Sequence, residues 1–165
     1  MATIISIRDI AAHVGEVVMV RGWVYDRTDK GKLQFIQLRD GTGIVQGVAY
    51  GPGMDADLFA LAGRLTQESS VVITGLVKEN AKAKKSIPAG YEIDLQGIEL
   101  IQMAVDYPIT TKEHGVEFLM DNRHLWLRSQ RQWAIMRIRA TITRALTDWL
   151  DDHGYLRVDT PIITP

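Results

Sequence analysis

Lysine and arginine gather in two short runs of a chain whose overall charge is close to zero. The 165 residues carry a formal net charge of −1. This balance excludes a globally basic nucleic-acid-binding protein, but it allows a local patch that contacts phosphates. Asp26 and Asp29 stand within the first run, and Glu79 stands within the second. The basic residues of the first run are Arg21, Arg27, Lys30 and Lys32, and those of the second are Lys78, Lys82, Lys84 and Lys85.

Between the two runs lie an aromatic ring and an amide suited to reading a nucleotide base. In the run KLQFIQLRD, Phe35 alternates with Ile36 and Leu38, so its ring falls on the polar face of a predicted strand. An exposed ring stacks on bases released from a duplex. Gln46 can both donate to and accept from the edge of such a base. The pattern leaves open the alternative that Phe35 is a core residue and that Gln46 is only a solvated strand residue.

The other reactive residue types form no catalytic or metal-binding set. The four histidines, at positions 13, 114, 124 and 153, stand singly along the sequence. The absence of cysteine excludes disulfides, thiol nucleophiles and cysteine-ligated zinc. The glycines of GTG, at 41–43, fall in a predicted hairpin with no helix after it to bind a phosphate. The sequence therefore predicts no catalytic residue, no metal site and no cofactor in this chain.

The elements that must position these side chains follow the order of an OB-fold. Ser6 predicts the start of a short helix that stops at Gly15, and Asp40-Gly41 predicts a hairpin turn. Three strands, a helix and two strands make the five-stranded OB barrel, in which the two basic runs flank the face of strands two and three. A small sandwich and an SH3-like barrel compete, but neither expects a helix at that point. The strands are predicted at 17–27, 32–40, 43–50, 69–79 and 91–103, and the second helix at 55–65.

The end of the chain has a different organisation. Ser129 and Gln132 form a capping box, and apolar residues then recur at helical spacing until Gly154, which predicts a long helix over 130–153. An extended apolar run follows it. The apolar stripe of the helix contains Ile135, Ile138, Ile142, Leu146, Trp149 and Leu150. The predicted divisions of the chain are a barrel domain at 1–103, a hinge at 104–128 and a second region at 129–165.

No segment of the sequence predicts export or insertion into a membrane. The start, MATIISIRDI, lacks a basic segment followed by a long apolar core. No apolar run approaches the roughly 18 residues that a membrane-spanning helix needs. We therefore expect a cytoplasmic protein with no membrane partner.

Three segments resemble a known family. The first segment is residues 21–46, RGWVYDRTDKGKLQFIQLRDGTGIVQ. It resembles the anticodon-binding OB domain of class IIb aminoacyl-tRNA synthetases, which are those for aspartate, asparagine and lysine. The second segment is residues 112–129, KEHGVEFLMDNRHLWLRS. It resembles the asparaginyl branch of that class, whereas aspartyl enzymes carry a different sequence there. The third segment is residues 154–165, GYLRVDTPIITP. It resembles motif 1 of class II synthetases, and Pro161 matches the characteristic proline of that motif. The resemblance covers essentially the whole chain, as the first part of such an enzyme.

The resemblance implies a role in tRNA recognition for residues already singled out. Phe35 would stack on the middle uridine of the anticodon, and Gln46 would read the edge of that uridine. Arg21 and Arg27 would hold neighbouring backbone or base groups, and Glu79 would help to read an adjacent base. The residues that contact phosphates would be Lys30, Lys32, Lys78, Lys82, Lys84 and Lys85.

The resemblance also implies the activity of the parent enzyme, which attaches asparagine to its tRNA with ATP and Mg²⁺ and forms AMP. The long helix and a strand after it would begin the α+β catalytic domain, and motif 1, with Tyr155 and Pro161, would form a homodimer interface. Motifs 2 and 3, which hold ATP and the amino acid, lie outside these residues. By itself the chain is thus expected to be inactive and to associate through residues 130–165.

Three alternatives to this interpretation stay open. One is a stand-alone OB-fold protein that binds single-stranded nucleic acid. Another is an interaction protein with no role in RNA binding, in which the basic loops are only solvated. The third is a relative of the aspartyl-tRNA synthetases.

Overall fold

The computed structural model describes residues 2–163, which divide into two compact units. The first unit extends to Thr111 and the second begins at Lys112. The division falls inside the segment 104–128 that the sequence predicts as a hinge. None of the helices in the described residues is long and apolar enough to cross a membrane.

The first unit is a five-stranded barrel with a helix between its third and fourth strands. Its elements are β1 (Thr3–Ile4), β2 (Val17–Asp29), β3 (Leu33–Arg39), β4 (Ile44–Tyr50), α1 (Ala56–Arg64), β5 (Ser70–Glu79) and β6 (Tyr91–Gln102), with 3₁₀ turns at Ile7–His13 and Gly51–Gly53. The strand order is β1-β2-β3-β4-β6-β5, and a further pairing of β2 with β5 closes the barrel. The short β1 lies outside the closed ring, parallel to β2. The predicted OB-fold is confirmed, and each of its five strands ends within two residues of the predicted bounds.

Barrel closure depends on β2, which changes partner along its length. Its first half, from Val17 to Trp23, pairs with β5, and its second half, from Trp23 to Asp29, pairs with β3. Between the two halves, Gly22 approaches β3 so closely that a Cβ atom there would clash with the carbonyl oxygen of Arg39. A register shift follows between Val24 and Asp26, and such a bulge increases local twist. One strand therefore serves two neighbours.

The interior of the barrel is filled by β-branched and aliphatic side chains from every long strand. Ile7 and Ile10 of the first 3₁₀ turn and Ala62 of α1 join the same cluster. Because each strand alternates, these side chains point inward while their sequence neighbours form the outer face. The buried strand residues are Val18, Val20, Val24, Ile36, Leu38, Val45, Ala49, Val71, Ile73, Val77, Ile93, Leu95 and Ile98.

The connection between β3 and β4 is held by the carboxylate of Asp40. Its Oδ1 atom accepts hydrogen bonds from the backbone N–H groups of Thr42 (2.8 Å) and Gly43 (3.1 Å). Its Oδ2 atom accepts from the N–H of Ile7 at 2.8 Å, so Asp40 also caps the first 3₁₀ turn. The predicted hairpin is present. Ser6 stands at the predicted N-cap position of this turn, but its side chain makes no capping hydrogen bond. The carboxylate of Asp40, distant in sequence, accepts from the first N–H group instead.

The loop between β5 and β6, residues 80–90, is anchored on β4 rather than extended into solvent. Ile87 forms an isolated bridge with Ile44, through backbone hydrogen bonds of 2.6 and 3.0 Å. The side chains of Ala83 and Ser86 are buried, and the hydroxyl of Ser86 accepts a hydrogen bond from the N–H of Gln46 at 3.2 Å. The loop is therefore held in place before any ligand binds.

The second unit is helical in its described part. It contains α2 (Val116–Asp121), α3 (Arg123–Trp126) and α4 (Gln130–Asp152), the long helix that the sequence predicts. The hydroxyl of Ser129 accepts from the N–H of Gln132, which confirms one half of the capping box. The other half is absent, because the N–H of Ser129 donates to the carbonyl of Trp126 instead. Residues 155–163 form no regular element, so the extended run after α4 is not a strand there; an isolated segment has no neighbour to complete a ladder.

Candidate nucleic-acid-binding groove

A groove on the outside of the barrel collects several of the residues singled out in the sequence. It is bounded by β2, β3, β4 and the loop 80–90, and we call it the outer groove. The sequence alone does not reveal the full set of residues that line it, because they come from four separate segments. The residues that line it are Asp26, Thr28, Phe35, Gln37, Gln46, Asn80, Lys82, Lys84 and Lys85.

Strand pairing places these side chains in rows. Gln37 lies opposite Asp26 on one side and opposite Gln46 on the other, and Gln46 lies opposite Glu92 of β6. Side chains directly opposite one another on neighbouring strands share a face. A polar row therefore crosses four strands on the outer face of the barrel. Phe35 precedes Gln37 by two residues in β3 and lies opposite Thr28 of β2.

Phe35 lies on the outer face and outside the hydrophobic core. Ile36 and Leu38 are fully buried, whereas Phe35 is half-buried and absent from the core cluster. The predicted orientation of this strand is confirmed. A ring that is supported on one side and open on the other can stack on a base.

Gln46 belongs to a chain of side-chain hydrogen bonds that the sequence did not suggest. Its Nε2 atom donates to Oε2 of Glu92 at 3.3 Å. Asn80 donates from Nδ2 to the same oxygen at 2.7 Å, and its Oδ1 accepts from the N–H of Lys82 at 2.9 Å. The amide that faces the groove is thereby connected to the loop 80–90.

Three lysines of that loop line the groove. Lys82, Lys84 and Lys85 are exposed, and none of them forms an ion pair with a described residue. Lys78 differs, since its Nζ lies 2.6 Å from Oδ2 of Asp94. The free cations of the second basic run are therefore concentrated in the loop, where a phosphate can approach them.

The first basic run is placed outside the groove and is partly neutralised. Lys30 and Lys32 are exposed at the turn between β2 and β3. In that turn the pKa of Asp29 is lowered, first by a hydrogen bond from the side chain of Gln34 and then by one from the N–H of Gly31. The carboxylate of Asp29 therefore stays charged and offsets the neighbouring lysines.

Arg21, Arg27 and Glu79 are not among the residues that line the outer groove. Arg27 donates from Nη1 to Oε1 of the buried Gln34 at 3.1 Å, on the opposite face of the sheet from Phe35. Arg21 is exposed on the half of β2 that pairs with β5. Glu79 is the exposed last residue of β5.

Five lining or supporting residues were missed by sequence reasoning. Asp26 was considered only as a charge opposing the first basic run. Alternation along β2 and β3 is sufficient to find Asp26, Thr28 and Gln37, once Phe35 is taken as outward-facing. Glu92 and Asn80 required the parallel pairing of β4 with β6, which no local signal in the sequence indicates.

Family models match both parts of the chain. A model described as an OB-fold nucleic acid binding domain, for tRNA anticodons, matches residues 18–101. A second, described as tRNA synthetases class II (D, K and N), matches residues 115–165.

Curated proteins similar to this chain include asparagine–tRNA ligases from several bacteria. That of Roseiflexus sp. (strain RS-1) is 53% identical over 160 residues, which cover 97% of this chain and 36% of the relative. That of Lactococcus lactis subsp. lactis (strain IL1403) is 47% identical over 172 residues and is covered to 38%. The chain therefore spans well under half the length of the curated relatives it matches.

Solved structures similar to this chain include asparaginyl-tRNA synthetases. The asparaginyl-tRNA synthetase of Pyrococcus horikoshii superposes with a TM-score of 0.81 at 34% identity, over 93% of this chain and 36% of that one. The enzyme of Entamoeba histolytica in complex with asparaginyl-adenylate gives a TM-score of 0.77 at 28% identity, over 99% of this chain and 38% of that one.

The outward orientation of Phe35 predicts that its removal spares the fold. We expect Phe35→Ala to keep the native far-UV circular dichroism and to lower the free energy of unfolding by about 1 kcal/mol. The matched change on the inner face, Ile36→Ala, should lower it by about 2–5 kcal/mol, because it leaves a cavity in the core. Urea titration of the two variants measures both values. A loss for Phe35→Ala as large as that for Ile36→Ala would show that Phe35 is a core residue.

Proposed function

Because the chain belongs to the asparaginyl-tRNA synthetase family, we propose that its outer groove binds the anticodon of a tRNA. The observation that carries the proposal is the presence in one groove of three kinds of group. An open aromatic ring, an amide able to read a base edge and three free lysines together match a nucleotide with its flanking phosphates.

Each group has a separate task in this proposal. Phe35 stacks on the middle base of the anticodon, and Gln46 pairs with the edge of that base, a uridine. Lys82, Lys84 and Lys85 contact the phosphates on either side, and these contacts add affinity without reading sequence. Stacking and phosphate contacts hold the base, and the amide selects it.

Residues outside the outer groove serve the neighbouring nucleotides in this proposal. Arg21 and Arg27 hold backbone or base groups next to the middle base, and Glu79 assists with an adjacent base. Lys30 and Lys32, at the opposite turn, and Lys78 add to the positive potential that attracts the RNA. Asp29 and Asp94 partly offset that potential, so these lysines contribute less than the three of the loop.

For the complete protein, we propose the ligation of asparagine to its tRNA with ATP and Mg²⁺ during protein synthesis in the cytoplasm. The relatives named asparagine–tRNA ligase support this activity. The described residues contain no cluster of three histidine, aspartate or glutamate side chains placed to hold a metal ion. No step of the reaction is therefore assigned to these residues.

We propose in addition that α4 and the segment after it form an interface between two copies of the chain. Ile138, Ile142 and Leu146 lie along one stripe of α4 and are 60%, 54% and 59% exposed. Tyr155 and Pro161, which follow the helix, are also exposed. An amphipathic helix gains most of its stability by burying such a stripe, and an exposed apolar patch promotes association.

Anticodon recognition predicts selective binding at one base. RNA stem-loops with a GUU anticodon should bind more tightly than stem-loops with GCU or GAU, as measured by fluorescence titration. Phe35→Ala should cost about 1–3 kcal/mol of binding free energy, the usual worth of one stacked base. Tyr50→Ala, which removes an exposed ring outside the outer groove, should cost nothing measurable. Equal affinity for the three stem-loops would instead indicate a sequence-blind single-strand binder.

The lysine loop predicts a change in salt dependence without a change in selectivity. Replacing Lys82, Lys84 and Lys85 by glutamine should reduce the slope of log K against log salt by about 2, since each phosphate contact to a single strand contributes about 0.7. All stem-loops should weaken equally. The control replaces Arg131, Arg139 and Arg144 of α4 by glutamine, an identical change of charge, and should leave the slope unaltered. A loss confined to the GUU stem-loop would contradict a phosphate-binding role.

The exposed stripe of α4 predicts self-association. Light scattering of the chain should show a dimer or a larger species whose population rises with protein concentration. Ile138→Gln combined with Ile142→Gln should shift the chain to monomer, because it places polar groups in the interface. The control combines Ile101→Gln and Val105→Gln, two exposed positions in the first unit, and should leave the association unchanged. A wild-type chain that stays monomeric at high concentration would rule out this interface.

A further inference from the structure

We propose that Asn80 is a positioning residue that sets the discrimination between uridine and cytidine by fixing the orientation of the Gln46 amide through Glu92. This inference rests on the proposed function, in which Gln46 reads the middle base. Asn80 itself need not touch the RNA. It lies at the start of the loop 80–90, next to the strand that carries Glu92.

The direction of each hydrogen bond in this chain follows from the chemistry of its members. A carboxylate only accepts, so the atoms of Gln46 and Asn80 that face Glu92 must be amide nitrogens. Both approach Oε2 of Glu92, at 3.3 Å from Gln46 and 2.7 Å from Asn80. The Oδ1 atom of Asn80 then accepts from the N–H of Lys82 at 2.9 Å. Because a backbone N–H only donates, the amide of Asn80 is fixed at both of its ends.

A fixed amide can tell two pyrimidines apart, whereas a freely rotating one cannot. Uridine presents a donor at N3 and an acceptor at position 4, and cytidine presents the reverse. An amide that turns over exchanges its oxygen and nitrogen, so it can match either base. With Nε2 held by Glu92, Gln46 offers its oxygen and its second N–H in one order only. The wrong pyrimidine then meets an acceptor with an acceptor and a donor with a donor.

The same contacts join base selection to the loop that carries the free lysines. Asn80 holds Glu92 with its nitrogen and the backbone of Lys82 with its oxygen. Ser86 makes a second link, since it accepts from the N–H of Gln46. The amide that reads the base and the lysines that hold its phosphates are thus set relative to one another by side chains of one loop.

The experiment compares four versions of the chain with GUU and GCU stem-loops. Asn80→Asp keeps an oxygen for the N–H of Lys82 but places a carboxylate against Glu92, so the two repel and Gln46 is released. Glu92→Gln is the conservative variant, because Asn80 stays fixed by Lys82 and still donates, so the new amide presents its oxygen to Asn80 and Gln46 as the carboxylate does. In the double variant the atom shared by the two contacts becomes an amide nitrogen, because it donates to the new carboxylate at 80. Gln46 must then turn its own oxygen toward position 92, which reverses the order of the groups that it offers to the base. The double variant also has the net charge of the wild type.

We expect Asn80→Asp to reduce the ratio of the GUU to the GCU affinity by about tenfold, the worth of one hydrogen bond, and Glu92→Gln to keep that ratio. The two single variants alter net charge in opposite directions, so their overall affinities should move in opposite directions. The double variant should lose the preference for GUU and favour GCU, and urea unfolding checks that all four chains are folded. The salt slope should stay the same throughout, since the three lysines are untouched.

The outcomes separate this inference from the proposed function. If the wild type does not prefer the GUU stem-loop, the proposed function fails and the inference fails with it. If the wild type prefers GUU and Asn80→Asp keeps the ratio, the proposed function stands and the role of Asn80 is overturned. A double variant that prefers GUU as strongly as the wild type would also overturn the role, because its order of donors and acceptors is reversed.

Discussion

The structure of the first unit depends on the way β2 pairs with two partners. Its first half is hydrogen-bonded to β5 and its second half to β3, with Gly22 packed closely against β3 and a register shift after Val24. This double pairing closes the sheet into a barrel and leaves no long edge strand unpaired. It also fixes which outer side chains become neighbours. The row of Asp26, Gln37, Gln46 and Glu92 depends on three registers, those of β2 with β3, of β3 with β4 and of β4 with β6.

The alternation of side chains along the strands therefore determines both the packing of the core and the residues of the outer groove. A slip of one residue in β3 would bring Phe35 into the core and expose Ile36 and Leu38, which are fully buried. The burial of these two side chains opposes such a slip and thereby holds Phe35 outside. The loop 80–90 is held in a similar way, since its bridge to Ile44 and its contact with the N–H of Gln46 fasten it to β4. An arrangement prepared in advance loses less entropy when a flexible RNA strand binds.

Most of the fold was predictable from the sequence, because strand alternation, turn residues and helix caps are local signals. Ile36 and Leu38 assign the faces of β3, and Asp55 and Ser129 cap α1 and α4. What escaped prediction depends on contacts between distant segments. The carboxylate of Asp40 replaces Ser6 as the cap of the first 3₁₀ turn, 33 residues away. Glu92 and Asn80 support Gln46 only because β4 and β6 run parallel. Lys78 was grouped with the loop lysines, but its ion pair with Asp94 depends on the register of β5 and β6.

The central claim is that RNA bases occupy the outer groove. An NMR titration of the ¹⁵N-labelled chain with a GUU stem-loop tests it most directly, because each backbone amide reports its own surroundings. We expect chemical-shift changes in β3, in β4 and in the loop 80–90, with the largest near Phe35 and Gln46. Amides of α1 and of the 3₁₀ turn at Ile7–His13 should stay unchanged. Shifts concentrated on other elements, with β3 and β4 unaffected, would contradict the account.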